Sequence, residues 1–216
     1  DACEAVGATF DGEKVGTFGD AATFAFYPNK QMTTGEGGML VTDDGSIAQL
    51  ARSMRNQGRT DRGTWLEHER LGFNYRLNEM SAALGASQLS RIDSILERRS
   101  RVAGWYREAL AAVEHVETLT EVKGTVRSWF VFVVILEKGN TRSDVMELLQ
   151  NWGVDCRAYF PPIHLQPLYR ERFGYRIGDF PVTEDIAGRT LALPFYNTLE
   201  KSDVEVVVEQ LERAIK

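Results

Sequence analysis

Residues 128–136, Ser-Trp-Phe-Val-Phe-Val-Val-Ile-Leu, constrain the fold more than any other stretch of the chain. A run that is nearly all apolar, rich in aromatic and β-branched side chains, does not alternate between a dry and a wet face, so it reads as a strand buried on both sides. Helical patterns flank it. From Asn78 onward Met80, Ala83, Leu84 and Leu89 share a face, followed by Ile92, Ile95 and Leu96 and then by Val102, Trp105, Tyr106 and Leu110, as two helices or one long kinked one. Downstream, Thr141 or Ser143 caps a helix through Gln150, and Gly153 stops it before a second strand around 154–159. A Pro-rich stretch, YFPPIHLQP, follows, then Leu193-Pro194, and a final helix begins at Ser202-Asp203 and runs through Ile215. The class is α/β.

The first part of the chain has a different texture. Residues 23–27 (TFAFY) and 38–42 (GMLVT) are short β-prone runs, and the loop between them holds Pro28, Asn29, Lys30 and Gly35-Glu36-Gly37-Gly38. After a turn at Asp43-Asp44-Gly45, Ser46 caps a helix carrying Ile47, Leu50, Ala51 and Met54 that ends near Gly58, and residues 60–70 form a polar loop. Arg98, Arg99 and Arg101 read as a solvated helix face. A boundary inside the helical stretch divides the chain into residues 1–96 and 97–216.

Thirty-one acidic residues against twenty-five basic ones leave a net charge of -6. No basic field is available for a nucleic-acid backbone or an anionic membrane surface. No apolar run approaches the roughly 18–20 residues of a membrane span, and the first residues lack a signal-peptide pattern, so the expected location is cytoplasmic. Cys3 and Cys156 belong to no metal-like cluster and read as buried or incidental thiols. No metal site is expected.

Lys30 is the residue with chemistry to offer. A lone loop lysine is ordinarily a solvated cation. Here Pro28 stiffens the approach, the glycines of the following loop let backbone pass close to a flat ligand, and Phe24, Phe26 and Tyr27 stand ready to desolvate the amine, as a Schiff-base lysine requires. Tyr27 and Trp129 read as core aromatics.

The order and spacing of Asp1-Ala2-Cys3-Glu4-Ala5-Val6-Gly7-Ala8, Gly16-Thr17-Phe18-Gly19-Asp20, Phe24-Ala25-Phe26-Tyr27-Pro28-Asn29-Lys30 and Thr34-Gly35-Glu36-Gly37-Gly38 resemble the DegT/DnrJ/EryC1/StrS family of pyridoxal-phosphate-dependent sugar aminotransferases. The resemblance continues through Arg55-Asn56-Gln57-Gly58, residues 72–79 (GFNYRLNE), residues 159–164 (YFPPIH) and Leu193-Pro194. It implies a fold-type-I transferase: residues 1–96 as the C-terminal part of the large cofactor-binding domain, with a mixed or parallel sheet, and residues 97–216 as the small C-terminal α/β domain. It also implies that roughly 150 residues of a usual member precede Asp1, and that the 216-residue chain alone is inactive.

Carried over position by position, Lys30 resembles the lysine that bonds pyridoxal 5'-phosphate and later moves the proton. Asp1 matches the aspartate that keeps the pyridine nitrogen protonated, so that the ring can act as an electron sink. Glu4 stands where the family usually carries Gln or His near the ring's phenolic oxygen, a departure that sets an acid toward a phenolate. Ala25 stands where many members have a phosphate-binding Ser, which shifts that task to Asn74 and Arg76, reaching across a homodimer interface into the partner's site. His164 resembles a residue lining the substrate side; its alternative is a loop histidine satisfied by backbone.

The implied activity is transfer of an amino group from L-glutamate to a keto group of a nucleotide-linked deoxysugar, in polysaccharide or antibiotic-sugar biosynthesis. Two alternatives stand beside it. One is a sugar dehydratase relative, although those relatives carry His where this chain has Lys30. The other is a non-catalytic aminotransferase remnant with a regulatory or assembly role.

Overall fold

Asp11 and Gly12 both sit at positive φ, 49° and 86°, and this two-residue turn folds β1 (Thr9–Phe10) back on β2 (Glu13–Lys14) in the register Thr9↔Lys14, Phe10↔Glu13. Asp-Gly suits such a turn because both residues tolerate the left-handed region and the turn's twist matches that of the paired strands. The strands are two residues long, too short for an alternating pattern to announce them.

The computed structural model describes residues 1–59, 64 and 66–215. The chain divides into two units, Asp1–Glu97 with Val122–Phe130 and Arg98–Glu121 with Val131–Lys216. A single boundary near residue 96 would place Val122–Phe130 in the second unit; the structure places this segment in the first. The reason is local. β6 (Thr125–Val126) pairs with β1 on the edge opposite β2, and Asp11 N donates to Gly124 O at 2.7 Å.

In the first unit β3 (Ala22–Ala25) pairs antiparallel with β4 (Gly38–Val41), Ala22 opposite Val41 and Ala25 opposite Gly38. Every strand pair among the described residues is antiparallel, so the mixed or parallel sheet expected of residues 1–96 is not formed by a parallel pair here. Parallel neighbours need a crossover connection of a dozen or more residues, usually helical. The link from β3 to β4 is instead a hydrogen-bonded loop that returns the chain directly.

α1 (Gly45–Arg55) is capped by Asp44, whose carboxylate accepts from Ser46 N at 2.7 Å and Ile47 N at 3.3 Å. The expected cap, Ser46, instead donates its hydroxyl to the same carboxylate at 2.5 Å. These bonds, the Ser46 hydroxyl first, hold the Asp44 carboxyl below its ordinary value. The polar loop expected at 60–70 falls partly on residues outside the described set. Asn78 caps α2 (Glu79–Leu89) through Ser81 N at 2.9 Å, and Ser90-Arg91 separates α2 from α3 (Ile92–Leu110). The long helical pattern is therefore two helices.

The second unit is built on a four-stranded sheet in the order β5-β7-β9-β8, comprising β5 (Val116–Thr118), β7 (Phe132–Leu136), β8 (Arg157–Ala158) and β9 (Thr190–Leu193). β7 occupies the apolar run expected to be a doubly covered strand, and all but one of its residues are buried. It is shorter than the run, because residues up to Phe130 belong to the first unit. β9 is buried throughout, and it was hidden in the sequence by the proline that follows it.

The core brings together Val102, Tyr106 and Leu110 of α3, Leu149 of α4 (Arg142–Asn151), Val204 and Leu211 of α7 (Lys201–Ala214), and Phe132, Val134 and Leu191 of the sheet. Tyr106 stacks on Phe132 at 4.7 Å and donates its hydroxyl to Pro194 O at 2.7 Å. α7 opens with a reciprocal cap between Glu200 and Asp203. Arg98 and Arg101 are exposed as expected, but Arg99 is buried, with its guanidinium 5.5 Å from the Phe195 ring centroid. The same unit holds a 3-10 turn (Ile163–Leu165), α5 (Pro167–Phe173) and α6 (Pro181–Arg189). No helix among the described residues is long and apolar enough to cross a membrane.

Candidate active site

The loop between β3 and β4 is braced from end to end. Phe26 N donates to Gly37 O at 2.9 Å, Thr34 N to Phe26 O at 2.9 Å and Lys30 N to Tyr27 O at 3.0 Å. Gln88 of α2 takes Thr33 in both directions, accepting from its N at 3.2 Å and donating to its O at 2.9 Å. Gly85 lets α2 approach: a Cβ there would come within 2.9 Å of the Thr34 methyl. A loop fixed in this way presents its side chains in defined places.

Lys30 leaves that loop with its side chain only 12% exposed, and its Nζ lies 2.7 Å from Glu4 Oε1 and 4.7 Å from the centroid of the Phe130 ring. Glu4 reaches it because the first residues run alongside β3: Ala2 N donates to Thr23 O at 3.0 Å, and Cys3 Sγ lies 3.6 Å from the same oxygen. Asp1, on that segment, is exposed, and its Oδ1 accepts from Cys3 N at 2.9 Å. Glu4 and Lys30 thus meet from two segments, and Asp1 lies three residues before Glu4 on the first of them. An aromatic over the amine is Phe130, which was not among the three expected; Tyr27 is 51% exposed and is no core residue. Trp129 is half-buried, with the Arg127 guanidinium 4.6 Å from its ring.

Asn74 and Arg76 are positioned by a pair of glycines. A Cβ on Gly58, where φ is +78°, would lie 1.8 Å from Arg70 O, and one on Gly72 would lie 2.1 Å from Gly58 N. The close approach these residues permit lets the strand-like segment beyond Gly72 pair with the end of α1: Phe73 N donates to Met54 O at 2.6 Å, Gln57 N to Phe73 O at 2.8 Å and Tyr75 N to Arg55 O at 2.9 Å. Asn74 forms a β-bridge with Asn56, and Arg76 donates to Asn56 Oδ1 at 2.9 Å. Phe73 and Tyr75 stack at 4.9 Å, with Tyr75 72% exposed.

His164 belongs to the second unit and is buried. Its Nε2 lies 3.0 Å from Glu184 Oε1, so a carboxylate rather than backbone satisfies it. The Phe180 ring is 4.7 Å away. Glu184 also accepts from Gly178 N at 2.9 and 3.0 Å and from Phe180 N at 3.2 Å. These donors, Gly178 N–H first, hold its carboxyl below the ordinary glutamate value. Beside the pair lies an apolar cavity of about 740 Å³ with Tyr159, Phe160, Ile163 and Val133 in its wall. Both cysteines are free thiols.

Three residues of the Lys30 constellation escaped the sequence reading: Phe130, Gln31 and Ser128. Gln31 is adjacent to the lysine in sequence; the other two are brought in only by the fold.

The chain is 38% identical over 219 residues to GDP-perosamine synthase of Caulobacter vibrioides, covering 100% of this chain and 58% of that relative. It matches S. venezuelae DesV, solved in complex with a ketimine intermediate, at a TM-score of 0.90 and 32% identity, over 100% of this chain and 57% of that one. DesI, solved in the presence of its TDP-sugar product, matches at a TM-score of 0.88 and 32% identity, over 100% and 55%. The chain therefore spans a little over half the length of these relatives, and its α/β fold is the aminotransferase fold of its neighbours. The family model matches residues 1–212, and the chain belongs to the DegT/DnrJ/EryC1/StrS aminotransferase family.

Proposed function

We propose that this chain supplies the cofactor lysine of a pyridoxal-phosphate-dependent aminotransferase that moves an amino group from L-glutamate to a keto group of a nucleotide-linked sugar, working as a homodimer. The observation that carries the reading is Lys30: an amine shielded from water, held by a carboxylate at 2.7 Å, on a loop fixed at both ends and beside the segment that bears Asp1. The donor set fits the cofactor. Lys30 Nζ would hold the cofactor's aldehyde carbon, the exposed Asp1 carboxylate would face its ring nitrogen, and Asn74 and Arg76 of a second subunit would face its phosphate, a task suited to the planar fork of arginine. When bound, pyridoxal phosphate supplies an electron sink for the pair left by a broken C–H bond.

The remaining work falls to the chain's own side chains. Lys30 Nζ would carry the proton from the donor's α-carbon to the cofactor in the first half-reaction and carry one in the opposite direction, onto the acceptor's carbon, in the second; its 12% exposure limits exchange of that proton with solvent. Glu4 orients Nζ. The Asp1 carboxylate holds a proton on its partner nitrogen by its charge. The sugar-nucleotide acceptor is supported by the GDP- and TDP-sugar relatives.

Incubation with pyridoxal 5'-phosphate, borohydride reduction and peptide mapping test the reading. The adduct is expected on Lys30 and lost in Lys30→Ala; an adduct on Lys14 or Lys123 instead overturns the assignment. For the shared site, an Arg76→Ala variant of the complete enzyme mixed with its Lys30→Ala variant is expected to recover one working site per heterodimer, and no recovery counts against sharing.

A further inference from the structure

Gln31 follows Lys30 in the chain and is 2% exposed. Its Nε2 donates to Glu4 O at 2.7 Å and to Ser128 O at 2.9 Å, and Ser128 Oγ lies 3.0 Å away. The two nearest partners are carbonyl oxygens, which only accept, so the amide has one workable orientation: exchanging its nitrogen and oxygen would set an acceptor against two acceptors. That orientation leaves Gln31 Oε1 buried with no hydrogen-bond partner among the described residues. An unpaired buried acceptor is costly, and the arrangement accepts this cost to place both N–H groups on the backbone of residues 4 and 128.

The backbone so held carries the carboxylate that touches the Lys30 amine. Glu4's own side chain is 51% exposed, so solvent offers it other directions, and its place at Nζ depends on where its main chain is anchored. Ser128, at the other end of the link, is buried. We infer that Gln31 is a positioning residue for the Lys30 amine: it anchors the Glu4 backbone to Ser128, and through Glu4 it fixes where Nζ points. The inference rests on the proposed function only for the use to which that amine is put; the anchoring is a property of this unit.

Reductive methylation of the chain with formaldehyde and cyanoborohydride reads the environment of each lysine without the cofactor. The rate at Lys30 is followed by peptide mass spectrometry, with the exposed Lys14 as internal reference. Four proteins form a cycle: wild type, Glu4→Ala, Gln31→Met and the double variant. Glu4→Ala is expected to change the Lys30 rate, relative to Lys14, by about threefold or more, and Gln31→Met to change it in the same direction. In the Glu4→Ala background Gln31→Met is expected to add less than about twofold, because the group through which it acts is gone. An equal fold-change in both backgrounds, or an unchanged Lys30 rate in Gln31→Met, overturns the inference.

Gln31→Asn, which keeps the amide one carbon shorter, runs the same cycle if Gln31→Met does not fold. If neither folds, Gln31 serves the fold alone and the inference is wrong. Trapping of wild type with pyridoxal 5'-phosphate separates the two claims: no adduct at Lys30 defeats the proposed function and leaves the methylation cycle to decide on Gln31.

Discussion

All four residues of β9 in the second unit are buried, whereas all four residues of β4 in the first are exposed. Around β9 the buried neighbours are chiefly apolar, Val134, Leu136 and Leu149 among them; around the loop that leads into β4 the buried residues include Gln31, Thr34 and Ser128. Apolar burial stabilises without specifying direction, at about 25 cal/mol per Å². Buried hydrogen-bonding groups contribute less net stability and fix geometry instead, because each must find its partner at a defined distance and angle. The second unit is built to stay folded, and the Lys30 loop is built to hold an amine in place.

The largest effect should come from breaking the apolar side of that contrast. Leu149 is fully buried, and Leu149→Ala is expected to destabilise the second unit by about 2–5 kcal/mol, read as a lowered denaturant midpoint, with the Lys30 methylation rate unchanged in the folded protein. Gly58→Ala attacks the first unit through its backbone. A methyl group at φ +78° and 1.8 Å from Arg70 O is expected to cost about 1–3 kcal/mol and to free Asn74 and Arg76, detected as faster amide exchange at Phe73 and Tyr75.

A smaller effect concerns acid. The carboxyl of Glu184 is held below its ordinary value in the folded protein, so its contribution to stability is full above the unfolded-state value and is lost as pH falls through the lower, folded one. Glu184→Gln is expected to flatten the acid limb of the second unit's stability against pH in thermal melts from neutrality down to pH 3; an unaltered acid limb would show that the Gly178 and His164 contacts carry no linkage. Smallest of all, Met39→Ala on exposed β4 is expected to change the stability of this chain by no more than about 0.5 kcal/mol, and a larger loss would show that the first unit depends on that strand's side chains after all.

The two regions also differed in how much of them could be read from the sequence. The covered strand β7, the helical pattern that starts at Asn78 and the final helix follow from local patterns, since each leaves a mark within a few residues of itself. Lys30 and its glycine loop were legible for the same reason. Phe130 was not, because the chain reaches the amine from a distant segment that no spacing rule connects to it. Glu184, the partner of buried His164, was likewise invisible: two residues on separate elements meet only once the 3-10 turn and α6 are packed. Asp44 rather than Ser46 caps α1 because a carboxylate can serve two N–H groups and a hydroxyl together, a choice that propensity alone does not make between neighbouring cap formers.

The placement of Val122–Phe130 in the first unit bears on how the chain is made. Gln31 and Ser128 stand 97 positions apart, and a ribosome extending the polypeptide at about 5–20 residues per second exposes the first many seconds before the second. During that interval the nascent chain can form the β1–β2 turn, α1 and α2, all of them local, while the Lys30 amine lacks its aromatic neighbour and the anchor at residue 128. Closing so wide a loop costs entropy that rises only with the logarithm of its length, so the delay is set by synthesis more than by search. The surroundings of the Lys30 amine are therefore completed late, only once the segment that carries Ser128 and Phe130 has been translated.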